Sequence, residues 1–174
     1  MGRGSVGSSS VEKMDLRSLK RLKPIKSMLL GDRSKGVVLL ERGVVAKTYD
    51  RSSKAQVGRF DKEVAVLKQL QGCKYIPKLY KVDDSNKTIY MEYVGKNVEL
   101  TKEMKATVGI ALKHIGERYR VFRVKDGKAR FTYKDLFPQN ICVDAAGNVK
   151  LIDFGSSLWQ IHKRSYKSYL AHAQ

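Results

Sequence analysis

Cysteine is scarce in this 174-residue chain: Cys73 and Cys142 are the only two, both inside apolar segments and neither at Cys-x-x-Cys spacing. A disulfide framework and a cysteine zinc site are thereby excluded, and both thiols read as reduced core residues. Histidine is equally sparse. His114, His162 and His172 have no carboxylate or cysteine at ligand spacing, so they define no metal centre. No apolar run approaches the roughly 20 residues that a membrane-spanning helix needs. The opening Met1-Gly2-Arg3-Gly4-Ser5-Val6 lacks an apolar signal core, and Val6 stands where myristoylation requires Ser or Thr. The expectation is an unlipidated intracellular protein, in cytoplasm, nucleus or virion, with no membrane partner.

Acidic side chains are also few, 17 Asp and Glu against 35 Lys and Arg, for a net charge of +18. The excess runs through the chain: residues 1–27 hold seven basic and two acidic side chains, residues 28–155 hold 25 and 15, and residues 156–174 hold three and none. Such a field attracts polyanions, nucleic acid included, without regard to sequence. The plainer reading is a solvated surface that serves solubility.

Hydrophobic content of 42% with 30% charged residues is ordinary for a globular domain. A chain of this length buries roughly 70% of its unfolded surface, enough for one domain with two small lobes. Residues 1–12 are rich in Gly and Ser and lack periodicity, so residues 1–21 are expected to form a disordered basic tail ahead of a domain over 22–174. From Met28 short apolar runs alternate with turn residues: Met28–Leu30, Gly31–Gly36, Val37–Leu40, a tight Arg42-Gly43 reversal, then Val44–Tyr49. That pattern predicts a three-stranded antiparallel meander. Val57, Phe60, Val64, Leu67 and Leu70 recur at helical spacing. Residues 79–83 and 88–94 read as two more strands. The first lobe, about 28–94, is then a five-stranded antiparallel sheet with one helix. The second, about 95–174, opens with a helix over 101–120, passes a turn at Lys125–Lys128, and continues into a hairpin of Ile141–Val143 and Val149–Ile152.

The segment Phe131-Thr-Tyr-Lys-Asp135-Leu-Phe137-Pro-Gln-Asn140 runs without interruption through the hairpin into Asp153-Phe154-Gly155. Asp135 and Asn140 lie five apart in a loop that opens into a strand, and Asp153 follows thirteen residues later. The spacing folds three oxygen donors towards one point. In this register the chain resembles the protein kinases over about residues 28–156. The resemblance implies an α+β, bilobal kinase-like fold with a reduced, mainly helical second lobe. It also implies ATP as donor, Mg²⁺ as cofactor and a protein substrate, with Asp135 as catalytic base and Asn140 and Asp153 as metal ligands. Lys47 on the third strand and Glu63 on the following helix match the pair that aims a lysine at the α- and β-phosphates. Alone, each would be an ordinary surface charge.

By the same resemblance Gly31 and Gly36 bracket the phosphate loop, with Arg33 replacing its middle glycine. Val38 and Val45 cover the adenine, and Cys142 lies beneath it. Met91 is the gatekeeper, and the main chain of Glu92 and Val94 faces the adenine edge. Two departures matter. Phe137 stands where serine/threonine kinases carry a lysine that neutralises the γ-phosphate. No Ala-Pro-Glu follows Asp153-Phe154-Gly155, so the helical platform for a peptide substrate is not expected within Ser156–Gln174, and a partner would supply it. Such economy resembles the compact kinases of large DNA viruses and the small atypical kinases. The function implied is a minimal protein kinase of serine/threonine type. The alternatives are a pseudokinase that binds nucleotide or a partner without efficient catalysis, and a basic structural or nucleic-acid-associated protein on a kinase remnant. Small-molecule kinases share the Asp-x4-Asn loop, but the intact Asp153-Phe154-Gly155 argues against them.

Overall fold

A computed structural model describes residues 8–28, 35–97, 99, 101–119, 123–125, 128–130 and 138–155. In chain order these form α1 (Ser8–Glu12), α2 (Leu16–Lys20), β1 (Pro24–Met28), β2 (Lys35–Leu40), β3 (Val44–Tyr49), α3 (Lys54–Gln69), β4 (Leu79–Asp83) and β5 (Thr88–Glu92). After them come β6 (Lys96–Asn97), α4 (Lys102–Tyr119), β7 (Arg123–Lys125), β8 (Lys128–Arg130), β9 (Ile141–Val143) and β10 (Val149–Leu151). The chain divides into two compact units, Met1–Phe60 with Lys78–Tyr93, and Asp61–Pro77 with Val94–Gln174. No helix among the described residues is long and apolar enough to cross a membrane.

The first unit holds the expected five-stranded antiparallel sheet, in the order β1-β2-β3-β5-β4. Its central register follows from the β2–β3 connection. The three residues Glu41–Gly43 form a 3-10 turn with Arg42 and Gly43 at positive φ, and Leu40 faces Val44 across it. Val38 therefore pairs with Ala46, and Val37 with Lys47. Side chains alternate along a strand, so directly paired residues share a face. One face carries Val38, Leu40, Val44, Ala46 and Tyr90, while the other carries Val37, Val45, Lys47, Tyr49, Ile89 and Met91.

The expectation of a disordered tail over 1–21 does not hold for its described part. Asp15 caps α2 by accepting a hydrogen bond from the Ser18 amide at 2.7 Å, and Val11, Leu19 and Leu22 are buried against Leu40, Val44 and Tyr90. Helices of five residues are not stable alone, so α1 and α2 depend on that sheet face for their order. Three apolar residues spaced eight and three apart carry too little local periodicity to announce this. The first strand likewise begins at Pro24 rather than Met28.

The opposite face is packed by the start of α3, where the Phe60 ring meets Tyr49 edge-on, with centroids 5.9 Å apart. Ser53 caps this helix, its hydroxyl accepting from the Gln56 amide at 3.4 Å. The stripe that α3 buries is Gln56, Phe60, Glu63, Leu67 and Leu70. Val57 and Val64, expected on that stripe, are only half-buried, and polar Gln56 and Glu63 take the central track instead.

In the second unit Thr101 caps α4, and the helix buries Val108, Ala111, Leu112 and Ile115. The hairpin β9–β10 pairs in register and gains β6 as a third strand. β7 and β8 form a separate antiparallel pair.

Asp83 ties the amino-terminal segment to the sheet. The side chain is buried, and its carboxylate accepts from Lys20 Nζ at 2.6 Å, Ser85 Oγ at 2.7 Å, and the amide and side-chain nitrogens of Asn86 at 3.3 and 2.8 Å. Burial alone would raise this carboxyl, but the hydrogen bonds from Lys20, Ser85 and Asn86 outweigh it and hold the group well below the usual aspartate value. A depressed folded value means that the stabilisation is present in full above the unfolded value near pH 3.9 and is lost as pH falls towards the folded one. Thermal melting from neutral to strongly acid pH should therefore show a drop below about pH 4 that Asp83→Asn partly flattens. Identical pH profiles for the two proteins would contradict this. Leu19→Ala should cost about 2–5 kcal/mol in urea unfolding, as deletion of a fully buried leucine does; a loss under about 0.5 kcal/mol, typical of surface sites, would show α2 to be loosely held.

Candidate active site

Each unit contributes its own group of residues. In the first, Lys47 lies on β3 with 3% of its surface exposed. Burying an ammonium is costly unless other groups compensate. Its Nζ lies 5.4 Å from the centre of the Tyr49 ring, a favourable cation-π distance. Val45 and Met91 pair directly across β3 and β5 on the same face as Lys47 and are buried.

Val38 departs from the sequence reading. It lies on the opposite face, packed against the cluster built by α1 and α2. A two-residue reversal at Arg42-Gly43 would set Glu41 opposite Val44 and place Val38 beside Lys47. The three-residue turn shifts the pairing by one, and a one-residue slip sends every side chain to the other face. Val37 and Leu39, overlooked in the sequence, hold the places beside Lys47 and Val45. Loop length was the signal that could have found them.

Gly36 begins the pairing of β2 opposite Thr48, whereas Gly31 and Arg33 lie outside the described residues. A side-chain carbon added at Gly36 would meet only Thr48, at 4.0 Å, so packing in the described structure does not demand glycine there. The Glu92 amide donates to the Lys78 carbonyl at 2.9 Å, and the Tyr93 amide to that of Gly43 at 2.9 Å. These bonds commit both N–H groups to the sheet.

The second unit holds Glu63, Val94, Asn140, Cys142 and Asp153. Glu63 is 1% exposed on α3 and Asn140 is 6% exposed, so both are buried polar groups. The β9–β10 hairpin pairs Ile141 with Leu151, and the Ile152 amide donates to the Asn140 carbonyl at 3.0 Å, extending the ladder one step. Asn140 and Asp153 thus sit at the same end of the hairpin. Asp153 is held at φ +64°, in the left-handed region that non-glycine residues rarely occupy, which marks a backbone constrained by its surroundings. The Leu151 amide also donates to the Tyr75 carbonyl at 2.8 Å, anchoring the hairpin to the segment after α3. Asp135, Lys134 and Phe137 lie outside the described residues.

A carboxamide oxygen and a carboxylate are hard donors. They suit Mg²⁺, which is commonly held by one or two carboxylates together with substrate phosphates. Among the described residues no group of three or more His, Cys, Asp or Glu side chains forms a metal site of its own. Burial pushes the Cys142 thiol up to about 11, so at neutral pH it is an apolar wall rather than a nucleophile.

Two residues of this region had no signal in the sequence. Asn97 on β6 donates its side-chain amide to the Gln139 carbonyl and reaches Ile141 O at 3.5 Å, a link between positions 42 and 44 apart. Gly95 has φ +87°, and a side-chain carbon placed on it would fall 2.1 Å from the Val143 carbonyl oxygen. Backbone at this contact is closer than any side chain allows. Gly95→Ala should therefore destabilise the protein by more than the ~1–3 kcal/mol typical of an unfavourable φ alone. Thermal melting checks this, and an unchanged melting temperature would contradict the close approach.

The family model described as protein kinase domain matches residues 39–173, which include Lys47, Glu63, Asp135, Asn140 and Asp153. The probable cAMP-dependent protein kinase catalytic subunit of Encephalitozoon cuniculi (strain GB-M1) is 32% identical over 107 residues, covering 59% of this chain and 33% of the relative. The chain thus spans about a third of the length of that curated relative.

Proposed function

The chain belongs to the protein kinase family, and on that premise we propose that it transfers the γ-phosphoryl group of ATP to a serine or threonine hydroxyl of a protein substrate, with Mg²⁺ as cofactor. The observation that carries this reading is the hairpin closed by the Ile152–Asn140 bond, which sets a carboxamide and a carboxylate at one end of a rigid element. The burial of Lys47, Glu63 and Asn140 supports it, since ionic and amide groups are seldom kept in an interior without a task that repays their desolvation.

Phosphoryl transfer asks the protein mainly for positioning and charge neutralisation. Lys47 binds the α- and β-phosphates through its ammonium, and Glu63 orients that lysine. Val45, Met91, Val37 and Leu39 supply the apolar side chains of the face that meets the base. Asp135 accepts the proton of the substrate hydroxyl as its oxygen bonds to the γ-phosphorus; the bond from that phosphorus to the β–γ bridging oxygen breaks, and ADP leaves with the electron pair. Asn140 and Asp153 would hold Mg²⁺, whose charge when bound offsets that of the phosphate oxygens. Pro138, retained after Phe137, leans towards serine or threonine as acceptor.

ATP with Mg²⁺ should raise the melting temperature of the wild type and leave that of Asp153→Ala nearly unchanged, and Lys47→Ala should abolish transfer of labelled phosphate to protein. An equal thermal shift in wild type and Asp153→Ala would refute the metal assignment. Phe137→Lys should increase turnover, because one cation on the developing charge is worth on the order of 10²-fold in rate. A folded, ATP-binding Phe137→Lys protein that turns over more slowly would refute that role. ATP binding without transfer in any variant would favour the pseudokinase reading.

A further inference from the structure

The folded amino-terminal segment presents a cationic surface that phosphoryl transfer does not use. Arg17 lies on α2 and Arg21, four residues on, is its C-cap with helical backbone angles; both are exposed. With Lys20 and Leu16 they line a concavity of about 400 Å³. Residues four apart on a helix project to the same side, so the two guanidinium groups converge on this hollow.

The acidic side chains of the surrounding elements are already engaged. Glu12 pairs with Lys78, Asp83 with Lys20, and Asp84 with Lys87. Asp15 accepts the Ser18 amide and Glu41 the Lys23 amide. The Asp15 carboxyl is held below its usual value first by its Ser18 hydrogen bonds and also by the charges of Arg17 and Arg21, but no ion pair joins it to either guanidinium among the described residues. The exposed cations Lys13, Lys23 and Lys26 extend the same field along the chain.

We propose that α2 is a docking surface for the phosphate backbone of nucleic acid, with Arg17 and Arg21 as the principal phosphate contacts and Lys20 bridging between the anion and Asp83. Three features select this ligand. Guanidinium forks match phosphate oxygens in pairs. Arg17 and Arg21 border one hollow, so the two cations are offered together to successive phosphates of one strand. Its lining has one apolar side chain, Leu16, and offers neither the sheet edge nor the row of apolar pockets by which peptides are read. Recognition by charge without base contacts is the sequence-independent mode of nucleic-acid binding.

The test uses the full chain and a short labelled DNA duplex of mixed sequence, read by fluorescence anisotropy from about 50 to 200 mM salt. Affinity should fall linearly on logarithmic axes. The double variant Arg17→Gln, Arg21→Gln should bind more weakly, with a slope shallower by about 1.8, the value for two lost phosphate contacts. Lys68→Gln, Lys113→Gln removes the same charge from exposed positions on α3 and α4 and should leave the slope as in the wild type. Far-UV circular dichroism checks that both variants keep the fold. Three results would each overturn the proposal: equal effects of the two double variants, binding that does not change with salt, or competition by polyglutamate as strong as that by unlabelled duplex at equal charge. Retention on phosphatidylserine vesicles without duplex binding would overturn it as well. None of these readouts involves phosphate transfer, so this proposal and the kinase reading fail separately.

Discussion

The pairing of Leu40 with Val44 across the Glu41–Gly43 turn is the constraint on which the first unit depends. It decides which of the two faces of β2, β3 and β5 receives each side chain. Lys47 goes to the face packed by Phe60 through Tyr49, and Val38, Ala46 and Tyr90 go to the face covered by α1 and α2. A slip of one residue would turn Val38 and Leu40 away from Val11, Leu19 and Leu22 and place Val38 beside Lys47 instead. The hydrophobic cluster and the candidate site are therefore two outcomes of one register.

Buried polar groups are used in two ways. Asp83 is structural: Lys20, Ser85 and Asn86 surround its carboxylate, and the network joins α2 to the turn between β4 and β5. Breaking such a network is expensive because the remaining charge stays buried. Lys47, Glu63 and Asn140 are the other group, and each stands at a position that the kinase register had already selected. Burial at positions that a motif also selects is what makes these three the candidates for function, whereas Asp83 has a purely structural network around it.

The positive charge is likewise not uniform in meaning. Lys20 and Lys78 close ion pairs that hold the amino-terminal segment in place, and Lys87 pairs with Asp84 while lying 4.9 Å from the Phe60 ring centre. The exposed Lys78–Glu12 pair contributes little, roughly 0–1 kcal/mol, unlike the pair with buried Asp83. Arg17 and Arg21 differ in that their charge faces outwards from an ordered helix. An ordered helix presents them at fixed separation, which an unstructured tail would not.

Motif order in the sequence singled out Lys47, Glu63, Asn140 and Asp153 as candidates; the structure buries the first three and brings Asn140 and Asp153 to one end of the β9–β10 hairpin. The five strands, α3, α4 and the β9–β10 hairpin were legible because period-two and period-3.6 patterns are local. The face occupied by Val38 was not, since it turns on the conformation of three turn residues. The order of residues 8–22 was not either, because Val11, Leu19 and Leu22 become a core only when the sheet supplies its other half. Gly95 and Asn97 were silent for the same reason. Their partners, Val143, Gln139 and Ile141, lie more than forty residues away, and only the folded backbone brings a carbonyl to within reach of a glycine that has no side chain to obstruct it. The sequence alone determined the family, the strands and which residues are candidates for the site; tertiary structure decided register, close approach and the fate of the amino-terminal segment, because each is a contact between parts of the chain that share no local pattern.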